Sequence, residues 1–307
     1  MHNVMQFYSN GKFLLTGEYF VLKGALSLAL PLTKGQTMFV SNTSKKRLLE
    51  WKAYDLNDQL WFTSDFDIET LQILACSHME TASILQDLLK SSTSINPAFL
   101  SDKNSVRVET KLTFPLEWGM GSSSTLITNL SEWAEINPFD LMKRSKSFLG
   151  SGYDLACAKS QRAIVYDNKE SKASWREINF DVPFKDNLYF VYLGNKMSTK
   201  KAIEYYNTID NPIKSISDIS HITKEIISVK SLDQFEYLLK EHEKIVSKTL
   251  GIPMISESVF SDYKDGIVKS LGAWGGDFVM FTGNENTPNY LSEKGFKIVI
   301  PYSEIII

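Results

Sequence analysis

The sequence predicts an α+β protein in two lobes. Three observations point there. The first part of the chain alternates apolar and polar residues in short runs, as half-buried strands do. A glycine–serine turn near the middle joins one such run to a helical pattern. A second strand–helix series begins at Leu188. Mixed runs of this kind favour layered α+β packing over an all-helical or all-strand fold.

The 307 residues suffice for one large or two ordinary domains, and 43% hydrophobic with 22% charged residues is an ordinary globular balance. The net charge of −3 gives no reason to expect nucleic acid or an anionic membrane as partner. Cys76 and Cys157 belong to no C-x-x-C pair, so neither a zinc site nor a disulfide framework is expected. The longest apolar stretch, Ala25 to Leu32, is interrupted by Ser27 and Pro31 and is too short to span a bilayer. No basic segment followed by a long apolar run marks a signal peptide. A cytoplasmic protein is expected.

The elements follow in order. Asn10-Gly11 reads as a hairpin turn between strands Gln6–Ser9 and Lys12–Thr16. Thr37–Ser41, Arg47–Tyr54 and Leu60–Ser64 read as strands. The spacing of Leu71, Leu74, Ala75, Ile84, Leu85, Leu88 and Leu89 predicts a helix over 68–90, and 91–97 reads as a loop. Val106–Leu112 is a strand, and Leu126, Ile127, Leu130, Trp133 and Ala134 mark a helix. Asn137-Pro138 ends that helix and opens another. Gly150-Ser151-Gly152 turns into a short helix near Asp154, and Ala163–Tyr166 is a strand. The polar stretch from Asp167 to Ser174 is a weak boundary, with domains placed at 1–180 and 181–307. Beyond it come strand Tyr189–Leu193, a helix over Thr199–Asn207, helical residues from Ser217 to Leu250, and strands Phe278–Thr282 and Lys297–Ile300.

Between the strand ending at Leu112 and the helix at Leu126 stands Pro115-Leu116-Glu117-Trp118-Gly119-Met120-Gly121-Ser122-Ser123-Ser124-Thr125. Glycines let a backbone approach an anion, and the free N–H groups of a helix N-terminus point at it. The serines either bind phosphate oxygens and a magnesium ion or simply cap the helix. The pattern is neither a Walker A loop nor a G-x-S-x-G elbow. Trp118 sits where it could border a base or ribose. The four histidines show no metal-ligand spacing and read as surface or satisfied core residues.

Two further segments stand in order with this one: Gly11-Lys12-Phe13-Leu14-Leu15-Thr16-Gly17-Glu18-Tyr19 and Lys269-Ser270-Leu271-Gly272-Ala273-Trp274-Gly275-Gly276-Asp277. With Gly150-Ser151-Gly152-Tyr153-Asp154-Leu155-Ala156, the set resembles the motifs of the GHMP kinases, the galacto-, homoserine, mevalonate and phosphomevalonate kinases. The resemblance spans almost the whole chain. It implies a ribosomal protein S5 domain 2-like N-terminal domain that binds ATP and a ferredoxin-like C-terminal domain. It also implies an ATP- and Mg2+-dependent transfer of phosphate to a small acceptor, by a monomer or homodimer.

Residue by residue, Gly119, Met120, Gly121, Ser122, Ser123 and Ser124 match the ATP-phosphate loop, with Ser123 on the magnesium. Asp154 matches the catalytic aspartate and Lys12 the lysine beside it. Glu18, Tyr19, Gly272, Gly275 and Gly276 fall in segments that shape the substrate site or close over it, and Ser198, Thr199 and Lys200 fall where the family often has a Ser-Thr pair. The details look most like phosphomevalonate or mevalonate kinases. Trp274 replaces a family glycine, and Lys143 stands where mevalonate kinases carry a metal-binding glutamate. Rival readings are a sugar kinase of the same family, a diphosphomevalonate decarboxylase, and a nucleotide-binding homologue without catalysis.

Overall fold

The computed structural model describes residues 4–43, 45, 47–102, 104–148, 150–169, 172–194, 204, 206, 208–209, 213–272 and 277–307. By contacts the chain forms two compact units of interleaved segments. The first holds Met1–Gly11, Lys34–Leu116 and Met120–Lys159, and the second Lys12–Thr33, Glu117–Gly119 and Ser160–Ile307. Two strands, β1 (Val4–Thr16) and β2 (Ser27–Asn42), contribute residues to both.

In the first unit, β3 (Leu48–Tyr54), β4 (Leu60–Asp67), β5 (Ile73–Cys76) and β6 (Val106–Leu112) join the second half of β2 in the order β5-β4-β3-β6-β2. All pairs are antiparallel except β3 with β6. The strict alternation Val106, Val108, Thr110, Leu112 along β6 points alternate side chains inward, as a one-faced sheet requires. Against this face lie α1 (Met79–Ile95), α2 (Ser122–Trp133), α3 (Pro138–Arg144) and α4 (Tyr153–Lys159). Leu85, Leu88 and Leu89 of α1 pack with Trp51, Phe66 and Val108 of the strands and with Ile127 and Leu130 of α2.

In the second unit, Ser27–Ala29 of β2 pairs with β7 (Ile164–Asp167), and β7 pairs with β8 (Ser174–Glu177). A separate four-stranded sheet follows: β9 (Leu188–Tyr192), β10 (Val268–Ser270), β11 (Phe278–Thr282) and β12 (Val299–Pro301), in the order β10-β11-β9-β12 with every pair antiparallel. Helices α5 (Ile213–Ser228), α6 (Leu232–Leu250) and α7 (Ile255–Ser258) lie between β9 and β10, α8 (Thr287–Glu293) lies between β11 and β12, and α9 (Tyr302–Ile305) ends the chain. A helix after the first and third strands, and this strand order, is the ferredoxin-like arrangement. The expected fold class is therefore the observed one.

Several expectations need correction. No hairpin forms at Asn10-Gly11: β1 runs through both residues, which are buried, and neither has the positive φ that such a turn demands. The helix expected over 68–90 starts at Met79 and runs on through the expected loop to Ile95. Before it, the Asp67 carboxylate accepts hydrogen bonds from the N–H groups of Glu69 and Thr70, a local turn that outcompetes helix initiation. Leu74 and Ala75 then lie in β5, so their helix-like spacing was a coincidence of two periods. The helical stretch from Ser217 to Leu250 is two helices, separated where Ser231 accepts from the Gln234 N–H as the cap of α6. The helix expected over Thr199–Asn207 falls largely outside the described residues.

Leu88 has no solvent exposure at the centre of the first core. Leu88→Ala is expected to lower stability by about 2–5 kcal/mol through lost transfer energy and a cavity. Urea denaturation monitored by far-UV circular dichroism measures it.

Candidate functional site

The glycine–serine segment forms the entry to α2. Gly119 (φ 63°) and Gly121 (φ 94°) both take left-handed conformations that favour glycine. Gly121 is the N-cap of α2, so neither Ser122 nor Ser123 caps the helix. The first helical hydrogen bond runs from the Thr125 N–H to the Gly121 carbonyl at 3.0 Å. The N–H groups of Ser122, Ser123 and Ser124 therefore precede the helical ladder, on the positive end of the helix dipole. Ser123 is exposed. Ser124 is buried and its hydroxyl donates to the Gly121 carbonyl at 3.0 Å.

Buried polar contacts fix the helix behind this loop. The Thr125 hydroxyl donates to Gln36 Oε1 at 3.1 Å, Asn129 Nδ2 donates to the Gln36 carbonyl at 3.0 Å, and the Ser9 hydroxyl donates to Asn129 Oδ1 at 2.7 Å. Met120 is fully buried and anchors the loop by its side chain. Such anchoring pre-positions the free N–H groups, which keeps low the ordering cost of binding an anion.

In the same unit, α4 packs against α2, with an ion pair between Lys159 and Glu132. Asp154 is the second residue of α4 and half-buried, and its Oδ1 accepts from the Leu155 N–H at 3.1 Å. Gly152 (φ 83°) makes the turn before it, where a side chain would strike the Phe139 ring. The aspartate and the glycine–serine loop thus sit on neighbouring helices.

The second unit holds Lys12 and Gly119. Lys12 Nζ donates to the Gly119 carbonyl at 3.2 Å. A Cβ on Gly119 would collide with the Asp277 carboxylate. Trp118 packs on Phe278 and Tyr192, at 5.4 and 5.8 Å between ring centroids. Gly272 (φ 64°) is described, whereas Trp274, Gly275, Gly276, Ser198, Thr199 and Lys200 lie outside the described residues.

Glu18 stands in a tight turn whose backbone is set by Gly17 (φ 93°) and by Tyr19 (φ 62°), an unusual value for a residue with a side chain. The Glu18 side chain is fully buried and ion-paired to Lys269, also fully buried. Lys269 Nζ lies 3.1 Å from Glu243 Oε1 and donates to the Ser270 carbonyl at 2.6 Å. His242 Nε2 accepts from the Gly17 N–H at 3.0 Å and lies 3.2 Å from Glu18 Oε2. Burial pushes Glu18 up to about 7 against the opposing pull of Lys269. Burial, with Lys269 nearby, holds His242 well below its usual range, so it stays neutral. Burial favours loss of the Lys269 charge, but the two carboxylates outweigh it and raise the Lys269 pKa.

Of this cluster, Glu18 is a sequence candidate, His242 reads from the sequence only as a surface or satisfied core residue and is here the latter, and Lys269 and Glu243 carry no expected role. Signals existed. Lys269 interrupts the apolar run Ile267-Val268-Lys269-Ser270-Leu271, and His242-Glu243 fall on the apolar stripe of α6 between Leu239 and Val246. Charges in such positions are almost never buried unless paired.

Glycines in left-handed conformation, N–H groups ahead of the helical ladder and an exposed Ser123 suit phosphate oxygens. Among the described residues no group of three or more His, Cys, Asp or Glu side chains is arranged to hold a metal ion. A magnesium ion here would rest on Ser123, phosphate oxygens and water, which this ion tolerates.

No protein-family model matches the sequence, and no curated protein matches it. The fold is that of the GHMP kinases. The mevalonate kinase of Methanococcus jannaschii superposes with a TM-score of 0.68 at 15% identity, over 98% of this chain and 97% of that one. The phosphomevalonate kinase of Streptococcus pneumoniae, solved with phosphomevalonate and AMPPNP, gives 0.68 at 13% identity over 96% and 99%. The galactokinase of Lactococcus lactis, complexed with galactose, gives 0.65 at 13% identity over 95% and 89%. Among the described residues no helix is long and apolar enough to cross a membrane.

Two outcomes test the buried cluster. Lys269→Met leaves two buried carboxylates without their cation and is expected to cost about 3–5 kcal/mol in urea unfolding. Adding Glu18→Gln and Glu243→Gln to that variant is expected to restore part of the loss. The second outcome concerns pH. An unfolded Glu18 loses its proton near its ordinary value of 4.5, whereas the folded one keeps it to about 7. The folded state thus binds more protons between these values, and stability from this group falls as pH rises across the interval. Glu18→Gln is expected to flatten that slope, measured by unfolding at a series of pH values.

Proposed function

We propose that this protein is an ATP- and Mg2+-dependent small-molecule kinase of the GHMP type, acting on phosphomevalonate or mevalonate in a cytoplasmic isoprenoid-precursor pathway. One observation carries the reading: in a chain with this fold, a paired-glycine turn opens α2 with the N–H groups of Ser122, Ser123 and Ser124 ahead of the helical ladder. Phosphoryl transfer asks mainly for positioning and charge neutralisation, and such a turn offers both to phosphates.

Bound ATP would supply the transferable phosphoryl group, and magnesium would neutralise charge on it. The chain's own residues take the other tasks. Gly119 to Ser124 hold phosphate oxygens through backbone N–H groups, and the Ser123 hydroxyl is the protein's contribution to the metal. Asp154 accepts the proton of an acceptor hydroxyl as that oxygen forms its bond to phosphorus. Lys12 places a positive charge on the phosphoryl group in transit. Tyr19, Gly272, Gly275 and Gly276 belong to segments that shape the acceptor site. The domain assignment, 1–180 for ATP and 181–307 for the ferredoxin-like part, goes with this reading.

A sugar acceptor is the second reading, and the galactokinase of the same fold motivates it. Coupled ADP release with Mg-ATP, run against mevalonate, phosphomevalonate, homoserine and a sugar panel, decides between them. Turnover on one acceptor identifies it. Absence of turnover on every acceptor, with ATP bound, overturns the kinase reading in favour of a nucleotide-binding protein.

On a hydroxyl acceptor, Asp154→Asn is expected to lower kcat by a factor on the order of 100 or more, with ATP affinity nearly unchanged. On a phosphate acceptor the loss is expected to be smaller, because a phosphate group has pKa2 of about 6 and is largely ionised before it attacks. Steady-state kinetics with isothermal titration of ATP separates these outcomes. A near-normal kcat on a hydroxyl acceptor removes Asp154 from the chemistry.

A further inference from the structure

The first unit carries an open cleft of about 460 Å3 lined by Asp87, Lys90, Ser91, Ser94, Lys143, Arg144 and Lys146. Four cations from α1, α3 and the segment after α3 converge on it. Among the described residues none of the four forms an ion pair with a carboxylate, although the chain as a whole carries a net charge of −3.

Asp87, the one carboxylate in the lining, is engaged by two serine hydroxyls and a backbone N–H of the segment after α3. It accepts from the Ser145 hydroxyl at 2.5 Å, the Lys146 N–H at 3.0 Å and the Ser147 hydroxyl at 3.0 Å. Partial burial opposes its ionisation, but these donors prevail and hold it below the usual carboxylate range. It pins the segment that brings Lys146 to the cleft. Arg144 reaches across to α1, where its Nη2 donates to the Ser94 hydroxyl at 2.9 Å. The cations themselves are exposed, and the Asp87 contacts hold the backbone that carries Lys146.

Four positive groups against one carboxylate repel one another, a cost that an anion with several oxygens removes. Arginine and lysine together, with serine hydroxyls beside them, are the donor set that takes phosphate groups. The geometry points to a second anion site, for a small molecule bearing a diphosphate, held by Lys90, Lys143, Arg144 and Lys146. None of the loop residues Gly119 to Ser124 lines it. A nucleic-acid backbone is disfavoured, because the basic groups are gathered in one cleft of a net acidic chain instead of forming a stripe. The site stands whether or not the protein is a kinase.

Inorganic pyrophosphate is the probe, titrated calorimetrically into the full chain with its thermal unfolding followed in parallel. The wild type is expected to bind saturably and to unfold at higher temperature with pyrophosphate. Lys90→Gln/Lys143→Gln is expected to weaken that binding at least tenfold and to melt no lower than wild type without the anion, since it removes repulsion. The single variant Lys146→Gln is expected to weaken binding several-fold. Gly121→Val, which disturbs the glycine–serine loop, is expected to leave the cleft-dependent binding in place. The inference is overturned by unchanged pyrophosphate affinity in Lys90→Gln/Lys143→Gln, by loss of all binding in Gly121→Val alone, or by no saturable binding at millimolar pyrophosphate. ADP release is not read in any arm, so failure here leaves the kinase reading as it was.

Discussion

One ammonium group ties together separate parts of the second unit. Lys269 Nζ on β10 meets Glu18, which follows β1, and Glu243, in the middle of α6. All three side chains are buried. A buried ion pair gives little net stability against an apolar replacement, but loss of one partner is costly. Its effect here is to leave few alternatives. The turn at Gly17-Glu18-Tyr19, the start of β10 and the register of α6 have to coexist, or a charge is stranded. His242 completes the arrangement as a neutral acceptor for the Gly17 N–H. The turn continues directly from the strand that carries Lys12, and β10 leads to Gly272. The cluster therefore positions backbone near two of the motif segments without itself offering a group to solvent.

Behind the glycine–serine loop the first unit uses neutral groups instead. Gln36, Asn129, Thr125 and Ser9 form a neutral buried network behind the glycine–serine loop. Satisfied networks of this sort rigidify what they hold. The loop in front keeps three N–H groups outside the helical ladder. The contrast is physical: an anion site needs donors that are fixed yet unpaired, and the fixing has to come from behind.

Charge is also unevenly placed. A chain of net charge −3 concentrates four cations at the cleft beside α1 and α3. Lys143 stands at the position where the resemblance to mevalonate kinases calls for a metal-binding glutamate. In the structure it faces the cleft with Lys90, Arg144 and Lys146. The substitution changes what that surface attracts, and it accords with the lack of a carboxylate metal cluster among the described residues.

Fold class, most strands and the segments of chemical interest are legible in the residues alone. Each of these is local. β6 and β11 were legible to the residue because alternation over a run bounded by turn residues has one reading. The glycine pair announced its left-handed turn, and Asn137-Pro138 announced a helix start with the Asn137 side chain accepting from the Phe139 N–H. Features that depend on partners far along the chain emerge only from the packing. β1 runs straight through Asn10-Gly11 because burial on both sides leaves no room for a solvated turn. α1 begins late because an Asp67 turn and pairing with β4 claimed the preceding residues. The ion pair between Glu18 and Lys269 joins residues 251 positions apart. No local pattern encodes which distant charge a buried side chain will meet, since that is set by the packing that removes both from water.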